Sequence, residues 1–194
     1  MKFYLETPTL KRKEDALNYL KEHQEYDSDI NGTGGMDECL DELTYENWLE
    51  IQDKMTNEKY AESINRCPGK TYFLIRKEDN KIIGMINIRY NLTEAMLHFG
   101  GHIGYGIKPA ERRKGYNKIN LYLGLIKAKE EFNLDKVMLD CSVDNIGSNK
   151  TIKALGGILE RCEIDPDDNT LTNVYWINTE SSIKKYNHIY SKHI

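Results

Sequence analysis

Long apolar runs are missing from this 194-residue chain, and so is any excess of positive charge. The longest hydrophobic stretches, such as Ile82-Ile83-Gly84-Met85-Ile86, fall far short of the roughly 20 residues that a membrane span needs, so no membrane partner is expected. Lys and Arg number 27 against 31 Asp and Glu, a formal charge of −4, which lacks the basic footprint of a nucleic-acid binder. The four cysteines, Cys39, Cys67, Cys141 and Cys162, stand far apart with no CxxC, so neither a zinc site nor a redox pair is expected and no metal is predicted. Buried, reduced thiols are the plainer reading. The amino end reaches Glu6 with no extended apolar stretch behind it, so it does not read as a secretory signal and a cytoplasmic location is expected. There is no internal repeat, and only four prolines interrupt the chain. What is present is 39% hydrophobic residues and thirteen tyrosines, too many core-formers for disorder. One domain over residues 1–178 is expected, followed by a polar tail over 179–194.

The small net charge hides an asymmetry. Between Glu14 and Glu62 there are fifteen acids and three bases, a local balance of −12, which leaves 24 bases against 16 acids elsewhere. Two surfaces of opposite sign can follow, one facing an anion and the other a cation. Solvated helix faces are the simpler account of the acids.

Hydrophobic spacing predicts a helix from Lys13 to about Tyr26, a loop at Asn31-Gly32-Thr33-Gly34-Gly35, and a second helix that starts at Thr44 and runs to about Ala61. Thr71 to Arg76 and Ile82 to Tyr90, joined by a charged turn, read as an antiparallel hairpin, with a third strand over Gly101 to Ile107. Tyr116 to Phe132 is a helix with a wide apolar arc, Lys136 to Ser142 a strand, and Asp144 or Asn145 caps a short helix ending at Gly156-Gly157. Two strands follow, Ile158 to Ile164 and Leu171 to Ile177. The order predicts an α/β domain with a mixed, mostly antiparallel central sheet flanked by helices.

The most informative segment is Arg112-Arg113-Lys114-Gly115-Tyr116-Asn117, which joins a strand to a long helix. The first amides of a helix lack intrahelical partners and sit at the positive end of its dipole, so a tight turn here offers several N–H donors to one anion. A diphosphate fits that geometry, with Gly115 allowing close approach and the basic side chains adding charge. A solvated basic helix start is the alternative. A nucleotide-binding P-loop is disfavoured because GxxxxGK[ST] is absent.

The segment resembles the Q/R-x-x-G-x-G/A signature of the GNAT acetyltransferase superfamily, through Arg112, Gly115 and, imperfectly, Asn117. Ile103-Gly104-Tyr105-Gly106-Ile107-Lys108-Pro109 resembles that family's fourth strand and its exit, and Asp144-Asn145-Ile146-Gly147-Ser148 with Gly156-Gly157 resembles its second cofactor motif. The likeness spans about Thr71 to Ile177. It implies splayed fourth and fifth strands with the pantetheine arm of acetyl-CoA in the gap. Tyr105, Gly106 and Ile107 would then supply main-chain contacts, Arg112, Arg113, Lys114, Gly115, Tyr116 and Asn117 would surround the pyrophosphate, and Asn145 and Ser148 would face the arm.

Acetyl transfer to an amine needs a neutral nucleophile, a path for its proton and a means of stabilising the leaving thiolate. Several subfamilies carry a Glu just before the I-G-Y segment as base, and this chain has His102 there. An imidazole with an ordinary pKa of about 6.5 suits that role, although a packed or hydrogen-bonded histidine is an equal alternative. His98 is a weaker candidate, and Glu111 lies too near the phosphate turn. The family's usual general-acid Tyr corresponds to Ile152, so Ser148 or Cys141 could assist from nearby or a different Tyr approach from elsewhere, with helix cap and buried thiol the plainer readings of the first two. The resemblance therefore implies an acetyl-CoA-dependent N-acetyltransferase, with a small-molecule or peptide amine drawn to the acidic side and a possible homodimer. A catalytically silent acyl-CoA-binding or regulatory module is the competing reading.

Overall fold

The computed structural model describes all residues 1–194. Four strands, β1 (Phe3–Glu6), β2 (Gly69–Arg76), β3 (Lys81–Arg89) and β4 (Ile103–Ile107), pair antiparallel in sequence order. A second antiparallel sheet has the order β5-β7-β6, from β5 (Lys136–Ser142), β6 (Ile158–Ile164) and β7 (Leu171–Asn178). Helices α1 (Lys13–Glu25), α2 (Tyr45–Lys54) and α3 (Glu58–Ser63) precede the hairpin. A short α4 (Glu94–His98) lies between β3 and β4, α5 (Tyr116–Phe132) joins β4 to β5, and α6 (Ile146–Ala154) and α7 (Thr179–Tyr190) complete the chain.

The near-continuous apolar run of β2 divides by alternation between two cores. Tyr72 and Leu74 enter the larger cluster with Ile86, Ile88 and α5, while Phe73 and Ile75 join Tyr19, Leu20 and Trp48 on the opposite face. α1 and α2 therefore cover one side of the first sheet and α5 the other. α5 is apolar over so wide an arc because it is enclosed twice, by the sheet and by the carboxyl-terminal segment. The rings of Tyr122 and Tyr190 lie 5.1 Å apart, and the Tyr122 hydroxyl donates to Asn187 Oδ1 at 3.1 Å. Residues 179–190 thus form a packed helix where the sequence reading expected a polar tail. Asn178 caps it by accepting from the Ser181 amide at 2.9 Å.

The other differences are local. The helix expected from Thr44 to Ala61 is broken after Lys54, because Asn57 caps a new helix by accepting from the Tyr60 amide at 3.2 Å. β1, α4 and α7 are additional elements. Cys162 is exposed, not buried, and Cys39 and Cys141 are only partly covered.

One feature of the topology sets the position of the site. β4 feeds α5, which runs back across the sheet, so β5 begins beside the start of β4. The two strands touch there: the His102 amide donates to the Met138 carbonyl at 2.8 Å, and the Met138 amide donates to His102 Nδ1 at 3.0 Å. Beyond that point β4 stays with β3 and β5 with β7, and the strands diverge as the sequence resemblance implied.

Candidate active site

The turn entering α5 leaves a row of donors unspent. None of the amides of Arg113, Lys114, Gly115, Tyr116 or Asn117 donates to a group of the protein, and the next amide, of Lys118, bonds the Gly115 carbonyl at 3.2 Å. Gly115 makes this possible: it takes φ +82, a conformation that side chains other than glycine's resist. Arg113 is also left-handed, at φ +61, which curls the backbone into a concave nest of N–H groups. Such a nest at the positive end of a 17-residue helix can hold a diphosphate.

The side chains of the turn play different parts. Arg112 donates through Nε to the Ile107 carbonyl at 3.1 Å and through Nη2 to Ser28 Oγ at 2.7 Å, so it ties the end of β4 to the α1–α2 loop. Lys114 pairs with Glu111 at 2.8 Å, and Glu111 also meets Arg76 at 3.0 Å. Tyr116 is buried against Phe3, with ring centroids 4.8 Å apart, and contributes only its amide to the turn. Arg113 makes no ion pair. Asn117 has a buried Oδ1 without a hydrogen-bond partner, the one side-chain atom of the turn left in that state.

The gap beside β4 is lined by backbone that no strand pairs, with the Ile107 carbonyl at its far end taken by Arg112. The Arg89 amide bonds the His102 carbonyl at 2.7 Å, and the Lys108 amide bonds the Ile83 carbonyl at 2.9 Å. With Gly104 opposite Asn87 and Gly106 opposite Met85, it is the even-numbered residues of β4 that serve the β3 ladder. Ile103, Tyr105 and Ile107 therefore turn their peptide groups toward β5, where no strand receives them. Across the gap the hydroxyls of Tyr105 and Ser148 lie 2.7 Å apart. Burial raises the Tyr105 pKa, so this phenol stays protonated at neutral pH. Ser148 stands one turn into α6, where Asn145 caps the helix by accepting from the Ser148 amide at 3.0 Å.

The opposite face of β4 carries a cleft of about 860 Å³. The α1–α2 loop forms one wall, and Gly32 lets it approach: a Cβ there would lie 2.5 Å from the Tyr105 Cα, at φ +76. Asp37, Glu58 and Glu62 line the cleft, Asn87 and Gln52 lie deeper, and Gly104 belongs to its lining. A hydrogen-bonded chain supports the floor, from Asn87 Nδ2 to Thr71 Oγ1 at 3.1 Å and from Thr71 Oγ1 to Gln52 Oε1 at 2.6 Å. Gln52 then donates to the Gly34 carbonyl at 3.0 Å.

A sequence profile of the acetyltransferase (GNAT) family matches residues 36–156, which hold the turn, the gap and most of the cleft. The chain belongs to the GNAT acetyltransferase family. Among solved structures, the ribosomal-protein-S5-alanine acetyltransferase of Vibrio fischeri superposes with a TM-score of 0.67 at 17% identity, covering 92% of this chain and 94% of its own. The microcin C7 self-immunity acetyltransferase MccE, in complex with acetyl-CoA and AMP, gives 0.62 at 17% identity over 90% and 91% of the two chains. A spermidine N-acetyltransferase chimera of Vibrio cholerae SpeG and hSSAT gives 0.61 at 11% identity over 94% and 99%. Identities this low establish a common GNAT fold and nothing finer. No curated protein sequence matches the chain.

On the GNAT framework, the expected cofactor segment is drawn together, but three side chains have other duties. Arg112 is a strand-to-loop tie, the Asn145 side-chain oxygen is spent on the α6 cap, and Tyr116 belongs to the core. His102 departs furthest from expectation. It is 8% exposed, its Nδ1 accepts from the Met138 amide, and its ring lies edge-on to Trp176 at 6.0 Å. Burial, with the charges of Arg89 and Lys136, lowers its pKa to about 4. With Nδ1 occupied and the ring neutral, the proton sits on Nε2, so His102 pins β4 to β5 and is not poised as a base.

Sequence reading missed Asn149. Its Nδ2 donates to the Ser142 and Asn145 carbonyls, both at 2.9 Å, and its Oδ1 accepts from the Tyr175 hydroxyl at 2.6 Å and from Asn173 Nδ2 at 2.9 Å. One amide thus fixes the exit of β5, the start of α6 and the middle of β7. Its signal was a second asparagine one turn after the Asn145 cap.

Proposed function

We propose that this GNAT protein transfers an acetyl group from acetyl-CoA to a primary amine of a small molecule or peptide, by direct attack in a ternary complex. The family uses acetyl-CoA, and both the nest at Arg113–Asn117 and the unpaired peptide edge of β4 fit it. The observation that carries the reading is the position of Gly104, in the strand that edges the gap and in the lining of the acidic cleft on the other face. An acceptor in the cleft and a thioester in the gap therefore meet across one strand, which is the proximity that direct transfer requires.

Each residue then has a task. Asp37, Glu58 and Glu62 draw a cationic amine into the cleft and receive its proton through water. The Tyr105–Ser148 hydroxyl pair donates toward the leaving sulfur. A thiol is already a good leaving group, so Tyr105→Phe and Ser148→Ala are each expected to lower kcat by about tenfold, below the usual range for general acids. The two losses should not add, since the hydroxyls act as one chain. Steady-state rates with a panel of amines check this, and a double variant slowed by the product of the single effects contradicts it. Gly115→Ala adds a Cβ in open space but strains φ, so the nest reorients and calorimetric affinity for CoA is expected to fall about tenfold.

A silent CoA-binding module is the second reading. It is favoured by Ile152, fully buried where many relatives carry an acid, and by the sealed His102. Thiol release separates the two: CoA binding with no amine-dependent release across the panel establishes the module.

A further inference from the structure

Arg89, the last residue of β3, lies in the lining of the cleft beside Gly104, with its Nη2 3.8 Å from the position a Gly104 Cβ would take. Of its five N–H donors one is used, Nη2 to the Gly100 carbonyl at 2.6 Å. Its Nε is buried and has no partner, and no carboxylate comes within ion-pair distance. Asp140 is the carboxylate that acts on it, but it accepts from the Gly100 amide while Arg89 donates to the Gly100 carbonyl, so Gly100 stands between the two charges. A half-buried guanidinium without a counter-ion is costly, and its planar fork matches a carboxylate.

The rest of the cleft has the opposite sign. Asp37, Glu58 and Glu62 stand among its lining, its other arginine, Arg66, is paired with Glu38, and the side chains near Arg89 in the floor, Asn87, Thr71 and Gln52, are neutral. A purely cationic acceptor would meet an unpaired positive charge beside the strand where transfer takes place. An acceptor with a carboxylate close to its amine would neutralise Arg89 while presenting nitrogen at Gly104.

We infer that Arg89 anchors the carboxylate of the acceptor, and that the substrates are α-amino carboxylates, free amino acids or close derivatives, in preference to polyamines. The inference rests on the acetyl-transfer reading and narrows its acceptor. Arg89 is a specificity-determining residue here, and Gly100 keeps it in place.

The test uses matched pairs that differ only in the carboxylate: lysine against 1,5-diaminopentane, and free amino acids against their amides. Thiol release from acetyl-CoA is expected to favour the carboxylate member by at least tenfold in kcat/KM, chiefly through KM. In Arg89→Gln that preference should collapse by at least tenfold, and Arg89→Lys should restore part of it. Equal losses for both members of each pair would reduce Arg89 to a clamp on Gly100, and a wild-type preference for diamines or amides would overturn the inference outright. If no amine supports release, the transfer reading fails separately. Calorimetry of lysine and 1,5-diaminopentane on the CoA-saturated protein then decides the role of Arg89, which is upheld by selective binding of lysine and rejected by its absence.

Discussion

The His102→Asn variant is expected to keep the fold near neutral pH and to lose part of the acid sensitivity that the parent shows between about pH 6.5 and pH 4, the buried His23, whose pKa is also lowered by burial, keeping its own share. In the folded protein the imidazole is held neutral, its pKa lowered to about 4 by burial and by the Arg89 and Lys136 charges. In the unfolded chain it titrates near 6.5, so protons bind the unfolded state first. The stabilisation is therefore complete above about pH 6.5, erodes as pH falls, and is gone at and below about pH 4. A difference of this size corresponds to about 3 kcal/mol, or roughly 6–12 °C in Tm for a chain of this length. The Asn side-chain oxygen can take the place of Nδ1 in accepting from the Met138 amide, so the strands stay joined. Alanine cannot, and the orphaned amide should cost about 1–3 kcal/mol at every pH. Melting curves from pH 8 to pH 4 check the difference. Turnover provides the second check: His102→Asn should stay within about threefold of the parent, with no titration near 6.5 removed by the change. A loss of a hundredfold together with the disappearance of such a limb would return His102 to the chemistry.

That histidine shows where sequence and structure part. The hairpin of β2 and β3, the long α5 and the turn at Gly115 were legible because each carries a local signature: β-rich runs around a charged turn, apolar positions at helical spacing, glycine among bases before a helix. Their registers and caps follow from neighbours in sequence. β1 was not legible, since four residues show no period and its pairing partner, β2, lies some seventy positions away. α7 was obscured by its polar face, and its burial depends on α5 offering a second apolar side. The role of His102 depends on Met138, which is brought to it by the β4-α5-β5 crossover and not by any local pattern. Arg89 and Gln52 are similar cases. Arg89 ends a largely apolar strand and Gln52 sits on an amphipathic helix, and only the folded chain shows whether each is a solvated edge or part of a cleft. The motif at Arg112–Asn117 pointed to helix-start amides with basic side chains around them; in the folded chain those amides are free, while the side chains of Arg112, Lys114 and Tyr116 are engaged elsewhere.

Asn149→Ala should be among the most damaging single changes in the molecule. The Tyr175 hydroxyl that it satisfies is fully buried, and the Ser142 and Asn145 carbonyls at the β5–α6 corner each lose one of two donors at the same time. Removing one partner from a buried network costs the desolvation of every group left behind, so a loss of about 3 kcal/mol is expected, lowering Tm by roughly 6–12 °C. Asn149→Asp separates the possible causes. An ionised carboxylate keeps the volume and still accepts from Tyr175 and Asn173, but it cannot donate to the Ser142 and Asn145 carbonyls. If the donors hold the corner, Asp will be as destabilising as Ala near neutral pH; if volume matters most, Asp will stand close to the parent. The same corner sets the far wall of the gap, because Ser148 precedes Asn149 and faces Tyr105. A loosened corner widens the space between β4 and α6, so KM for acetyl-CoA should rise in both variants at temperatures where each is still folded. A KM unchanged alongside a lowered Tm would mean that the gap is held by the His102–Met138 pin alone, and that the corner serves stability without shaping the site.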